Sequence, residues 1–239
     1  MSDRAKPARP NLKKFGRRIL REWIAPLAIV IVVFGTFRSA IADWSDVPTG
    51  SMEPTIMPGD RIFVNKVAYG LRVPFTKRWI TRWADPARGD IVICFSPADG
   101  TRLVKRLIGQ PGDVVELRNN GLIINGRRAT YSDLDRDTIE QIPPDQRPSL
   151  MFATENLDGA KHAMMLTRGI PAIRSFGPIT VPEDSFLVMG DNRDRSADSR
   201  IFGFIDRRQI IGRSPAVALS VDPEHHYLPR WGRFFRRLR

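Results

Sequence analysis

The 239-residue sequence predicts a mostly β domain preceded by one N-terminal membrane helix. Three observations point there. Beyond residue 44, apolar residues come in short runs cut by Gly, Pro and Asp, the length and punctuation of strands. Few long 3.6-residue periods interrupt them, which argues against a helical domain. Ahead of them, Trp23 to Phe37 (WIAPLAIVIVVFGTF) runs fifteen residues without a charge.

That run is roughly 22 Å long as a helix, short of a hydrocarbon core of about 30 Å. Extended from Trp23 to Trp44 it reaches about 33 Å, with an aromatic at each end and Arg38 able to snorkel. Pro26 falls near the first turn, where proline is tolerated. The expected organisation is therefore a basic cytoplasmic tail (1–22), an anchor (23–44) and a domain on the far side, because the positive flank stays inside. A cleavable signal peptide fits the same stretch, with a basic start, an apolar middle and Ala40-Ile41-Ala42 as its cleavage site. In both readings residues 45–239 cross the membrane, and no second run of such length follows.

The charge distribution agrees. The net charge is +12, but residues 1–21 carry eight bases against one acid, and residues 230–239 carry five arginines. Residues 22–229 balance, with 25 bases and 25 acids. A DNA-binding domain needs its excess on the folded body. Two basic ends on a neutral body suit anionic lipid; a basic tail on RNA is the rival. Residues 71–88 mix Phe75, Trp79, Ile80 and Trp83 with five arginines or lysines. Such a mixture suits a membrane interface or stacking on nucleic acid, and beside a span the membrane is expected. The same contact is expected of the segment from Trp231 to the C-terminus.

Strands are expected at Arg61–Val64, Asp90–Phe95, Arg102–Ile108, Asp113–Leu117 and Ser185–Met189, with tight turns at Asn119-Asn120-Gly121 and Asn125-Gly126. Residues 131–182 are polar and proline-bearing and read as an inserted β lobe. The main β core is then 45–130 with 183–222, followed by a basic aromatic tail, 223–239. The single cysteine, Cys94, excludes an internal disulfide and sits in an apolar run as a buried small hydrophobe. Only three histidines (His162, His225, His226) are present, which disfavours a zinc site or a Ser-His-Asp triad.

Chemistry is concentrated in three segments. Ser51 lies in PTGSMEPTI, where glycine and prolines bend the backbone around the hydroxyl. A serine needs a base to become a nucleophile, and with histidine scarce a neutral lysine is the next candidate. In LVKRLI, strand alternation puts Leu103, Lys105 and Leu107 on one face, where a charged ammonium is costly. Arg106 then points the other way, free to take a carboxylate. Taken alone, Ser51 is a turn serine and Lys105 an edge-strand lysine. The third segment, GDNRDRSADSR (190–200), follows a strand and is dense in charge and hydroxyls, but lacks calcium-loop spacing.

Together PTGSMEPTI, GDRIFVNKVAYGL, RGDIV, LVKRLIGQPGD and GDNRDRSADSRIFGFI resemble the motifs of type I signal (leader) peptidases, in the family's order. The resemblance covers the anchor and nearly all of residues 45–213, least well at 131–182. Gln110 stands where leucine is usual, Arg195 where asparagine is common, and Thr49 where serine is often found. It implies a mostly β, signal-peptidase-type catalytic core with a smaller second β lobe, and a serine endopeptidase that removes signal peptides without a metal or cofactor. It implies Ser51 as nucleophile, Lys105 as general base, Ser196 orienting the lysine amine, and Thr49 Oγ with the Ser51 N–H as oxyanion hole. Asp198 with Arg200, and Asp191 with Arg106, are implied as structural ion pairs.

Cleavage after A-x-A needs shallow apolar pockets, and Val47, Pro48, Met52, Ile56 and Val104 are expected to line them. The expected partners are preproteins and anionic phospholipid, not nucleic acid, with a monomer as the working form. The expected location is the inner (plasma) membrane, N-terminus cytoplasmic and catalytic domain outside. A same-superfamily peptidase with narrow clients and a silent, tethered chain-binding domain are the rivals; the presence of Ser51, Lys105 and Ser196 together argues against the second.

Overall fold

The structure is a computed structural model that describes residues 20–76 and 78–238. Residues 1–19 of the expected basic tail, Lys77 and Arg239 lie outside the described residues. A π-turn over Leu20–Ile24 leads into α1 (Ala25–Ala40). Together Arg21–Ala40 form a 20-residue helix of mean hydropathy 1.8, long and apolar enough to cross a membrane. The helix ends four residues short of the expected Trp44. Asp43 and Trp44 instead belong to β1 (Ala42–Asp46), because this stretch pairs in register with β2 (Asp60–Asn65).

The chain continues through the hairpin β3 (Gly70–Arg72) and β4 (Trp79–Arg82), then β5 (Ile91–Phe95) and β6 (Arg102–Gly109). Next come β7 (Val114–Arg118), β8 (Gly121–Ile124), β9 (Arg127–Arg128) and β10 (Thr130–Ser132). The lobe adds β11 (Leu150–Leu157), β12 (Ala160–Thr167) and β13 (Phe176–Thr180). The core resumes with β14 (Ser185–Met189), β15 (Ile205–Asp206), β16 (Ile210–Arg213), β17 (Val217–Asp222) and β18 (Leu228–Pro229). The mostly β fold expected from short apolar runs is the fold observed.

A nine-stranded sheet runs β15-β14-β6-β5-β16-β2-β17-β18, with β1 on the other edge of β2. One side of it is packed by Val47, Met52, Ile56, Ile62, Val64, Ile91 and Ile93, another cluster by Val92, Cys94, Leu107, Phe186 and Val188. Cys94 is fully buried, as its apolar run implies, and burial pushes its thiol up to about 12.

The lobe boundary differs from the expected residue 131. β13 pairs with β7, so β7, β8 and β9 form a four-stranded sheet with it, beside the three-stranded sheet β10-β11-β12. Val115, Leu117, Leu122 and Ile124 bury themselves with Leu157 and Val181, so the lobe's apolar surface starts at β7.

The C-terminal segment is docked rather than free. Arg233 is buried and its Nε donates to Asp60 at 3.0 Å; Arg230 donates to Pro58 O at 2.6 Å; Leu238 enters the core and its N–H donates to Pro215 O at 2.9 Å. Asp60 lies at the end of β2 opposite Asn65, about 17 Å away. The anchor meets the Asn65 end. Trp231, next to Arg230, therefore sits near the Asp60 end of the sheet, with its ring exposed.

Candidate active site

Ser51 sits in a single 3-10 turn, Gly50–Met52, between Pro48 and Pro54. Thr49 precedes it in extended conformation, exposed, and makes no side-chain capping bond to the turn. The first N–H groups of such a turn have no partner within it. Behind Ser51, Met52 and Ile56 hold the turn in the core, and Ile56 N–H donates to Met52 O at 2.9 Å. The hydroxyl is thus presented from a backbone anchored on its far side.

Lys105 reaches this hydroxyl from β6: its Nζ lies 2.7 Å from Ser51 Oγ. Lys105 is 3% exposed. It pairs across strands with Val92, while Leu103 pairs with Cys94, so the face that carries the amine is apolar. Burial holds the Lys105 amine below its ordinary value, and the charge of Arg200 adds to that. The carboxylates of Asp198 and Asp191 pull the other way.

Both carboxylates are paired. Arg106, the strand neighbour on the opposite face, donates to the two Asp191 oxygens at 2.7 Å each. Arg200 donates to the two Asp198 oxygens at 2.9 and 2.8 Å. Burial alone would raise both acids, but Arg106 and Arg200 outweigh it and hold both below the ordinary carboxylate range. Each guanidinium offsets a negative charge that would otherwise keep the lysine protonated. Ser196, 9% exposed, has a buried hydroxyl beside the Asp198 carboxylate, which it helps to hold below the ordinary carboxylate range.

The model of the family "Signal peptidase, peptidase S26" matches residues 20–219. The chain belongs to this family. Signal peptidase I of Pseudomonas aeruginosa is 30% identical over 237 residues, covering 94% of this chain and 78% of that one. Signal peptidase I P of Bacillus subtilis subsp. natto is 32% identical over 206 residues, covering 86% and 92%. A solved signal peptidase I from Enterococcus faecalis V583 is 32% identical and covers 54% of this chain and 97% of that one, at a TM-score of 0.34. The protein is accordingly a serine endopeptidase of the signal peptidase I kind, whose family acts on signal peptides and is membrane-associated.

The residues expected to line this peptidase's substrate pockets separate into two sets. Pro48 is exposed, while Val47, Met52 and Ile56 are core residues, the last two with no exposed surface, and Val104 packs partly buried against them. Met52 and Ile56 back the site and do not present a surface to substrate here.

Three residues of this signal peptidase's site escape a reading of the sequence. A Cβ on Gly190 would stand 2.4 Å from Ser51 O and 2.3 Å from Ser196 Oγ. Asn192 donates its N–H to Ser51 O at 3.1 Å and its Nδ2 to Gly50 O at 3.0 Å. Thr55 Oγ1 donates to Asp191 at 2.5 Å, tying the turn to the Arg106 pair. The signal available was Gly190 and Asn192 inside a motif that begins where β14 ends. Among the described residues no group of three or more His, Cys, Asp or Glu is placed to hold a metal.

Proposed function

We propose that this protein is a membrane-anchored signal peptidase I that cleaves preproteins after A-x-A by a Ser51–Lys105 dyad. The observation that carries the reading is the 2.7 Å approach of a buried lysine amine to the Ser51 hydroxyl. Neutral Lys105 accepts the hydroxyl proton as Ser51 Oγ attacks the scissile carbonyl carbon. The tetrahedral oxygen accepts from Ser51 N–H and Thr49 Oγ, donors aimed at charge that exists only in that state. Lys105 then gives its proton to the leaving amine, the C–N bond breaks and an ester on Ser51 remains. The neutral amine takes a proton from water, which attacks the ester, and the proton returns to Ser51. Ser196 orients the amine through its hydroxyl.

Small residues at the cleavage site suit this reading because the neighbour of Ser51, Met52, belongs to a packed apolar cluster with Val47 and partly buried Val104. α1 is the anchor, residues 1–22 face the cytoplasm and the domain lies outside the inner membrane, in keeping with the positive flank. Exposed Trp44, Phe63, Phe75, Ile80 and Trp83 supply apolar surface towards lipid. Purified wild type and Ser51→Ala, given a preprotein, test the reading by mass spectrometry of the mature N-terminus. Wild type releases the mature chain after A-x-A and Ser51→Ala releases none; equal cleavage by both overturns it.

A further inference from the structure

A row of register partners across the sheet joins the end of α1 to the site. Ala42 pairs with Asn65, Asn65 with Arg213, Arg213 with Val92, and Val92 with Lys105. These five residues sit at one level along their strands, across about 19 Å of sheet. Ala42 is two residues past the last residue of α1.

The junction has no slack. Ile41 alone separates helix from strand; its N–H donates to Phe37 O and its carbonyl accepts from Lys66 N–H, both at 2.9 Å. Lys66 Nζ donates to Arg38 O at 2.9 Å and Ser39 O at 3.4 Å, filling carbonyls of the last turn that an α-helix leaves open. Asp43, 8% exposed, gathers three cations: Arg38 at 2.9 Å, Lys66 at 3.3 Å and Arg102 at 3.5 Å. Arg38 comes from the helix, Lys66 from the stretch after β2, and Arg102 from the first position of β6, three residues before Lys105. Against the helix flank, Phe75 N–H donates to Ser39 Oγ at 2.6 Å, and Phe75 Cζ would lie 3.6 Å from a Cβ on Gly35.

We propose that Asp43 and Lys66 are positioning residues that lock the anchor to the catalytic sheet, so that the sheet row fixes the height of Ser51 and Lys105 over the bilayer and selects the peptide bond cut in a membrane-held substrate. The proposal rests on the signal peptidase reading above. A chain held in the bilayer by its own apolar segment presents successive residues at successive heights. A site that swings on a loose anchor samples several of them; a site on a fixed strut samples few.

The test uses the full chain in phosphatidylethanolamine–phosphatidylglycerol vesicles. The substrate is a membrane-inserted preprotein with two tandem A-x-A sites at different distances from its apolar segment. Asp43→Asn, Lys66→Met and Arg38→Met are compared with wild type, and a short soluble A-x-A peptide serves as control. Peptide cleavage stays within about twofold of wild type, because the dyad is untouched, while the ratio of the two mature N-termini shifts by about fivefold or more. An unchanged ratio with peptide cleavage retained overturns the proposal. Should Asp43→Asn or Lys66→Met fail to fold, Arg38→Met decides: it removes the helix's own cation from Asp43 at a side chain that is 50% exposed, so the domain stands, and an unchanged ratio there overturns the proposal. A wild type that cuts neither substrate overturns the peptidase reading itself, and with it this proposal.

Discussion

Gly190 stands against the carbonyl of Ser51: a single added Cβ would come within 2.4 Å of that oxygen. Real Cβ atoms do not approach backbone so closely, and the same carbon would meet Ser196 Oγ at 2.3 Å. The end of β14 therefore fits under the nucleophile turn only without a side chain. Gly190→Ala pushes Ser51 off Lys105. We expect kcat to fall about 100-fold or more with KM little changed, the scale set by misplacements near 1 Å. Wild-type kcat in Gly190→Ala would mean that the turn gives way freely and that its fixed position does not matter.

The dyad itself makes a sharper claim. Ser51→Ala and Lys105→Ala abolish cleavage while circular dichroism stays unchanged. Lys105→Arg does not rescue, since a guanidinium remains protonated and cannot act as base. Turnover by Lys105→Arg, in a preparation free of host peptidase, would remove Lys105 from the mechanism.

Charge around the lysine sets the pH profile. Burial holds the Lys105 amine below its free value of about 10.4, so kcat/KM rises with pH through an apparent pKa below that value. Arg200 contributes by opposing Asp198. Arg200→Met leaves that carboxylate unbalanced, stabilises the ammonium and moves the rising limb to higher pH, with activity recovered more fully at the alkaline end. Asp198→Asn moves it the other way. A profile unmoved in both variants would show that the paired charges do not reach the amine.

Much of this was legible from residues alone. Alternation placed Lys105 on an apolar face and Arg106 on the opposite one, and each strand expected from a run of β-branched residues lies within a residue or two of its observed bounds. What stayed hidden is pairing across long separations. β7 looked continuous with the core because its partner β13 comes some sixty residues later. The basic tail looked free because Asp60, which takes Arg233, lies 173 residues earlier. Trp44 looked like the end of the anchor because hydropathy does not register that Asp43 is captured by cations from three parts of the chain.

Thr49 offers a test of the oxyanion hole with little risk to the fold, since the residue is exposed and its side chain does not cap the turn. Thr49→Val keeps the shape and removes the donor; Thr49→Ser keeps the hydroxyl. We expect Thr49→Val to lower kcat roughly 10²–10³-fold with little change in KM, and Thr49→Ser to stay near wild type. Equal kcat for Val and Thr would assign the oxyanion to backbone donors alone.

The buried polar network also fixes how stability responds to acid. Burial would raise Asp191, Asp198 and Glu155, but Arg106, Arg200 and Arg193 respectively hold each below its ordinary range. Their stabilisation is complete above the unfolded carboxylate value of about 4 and is lost as pH falls through it towards the folded values. His162 acts earlier. Its Nε2 lies 3.1 Å from Glu155, yet burial, with the charge of Arg106, holds the imidazole below its ordinary value. Below about pH 6.5 the unfolded chain takes up a proton there that the folded chain resists, so stability begins to fall. The melting temperature should therefore be level near neutral pH, decline below about 6.5 and drop steeply below about 4. His162→Gln should remove the first decline and leave the second. A variant that keeps the wild-type decline between those two values would mean that His162 carries its proton in the folded chain.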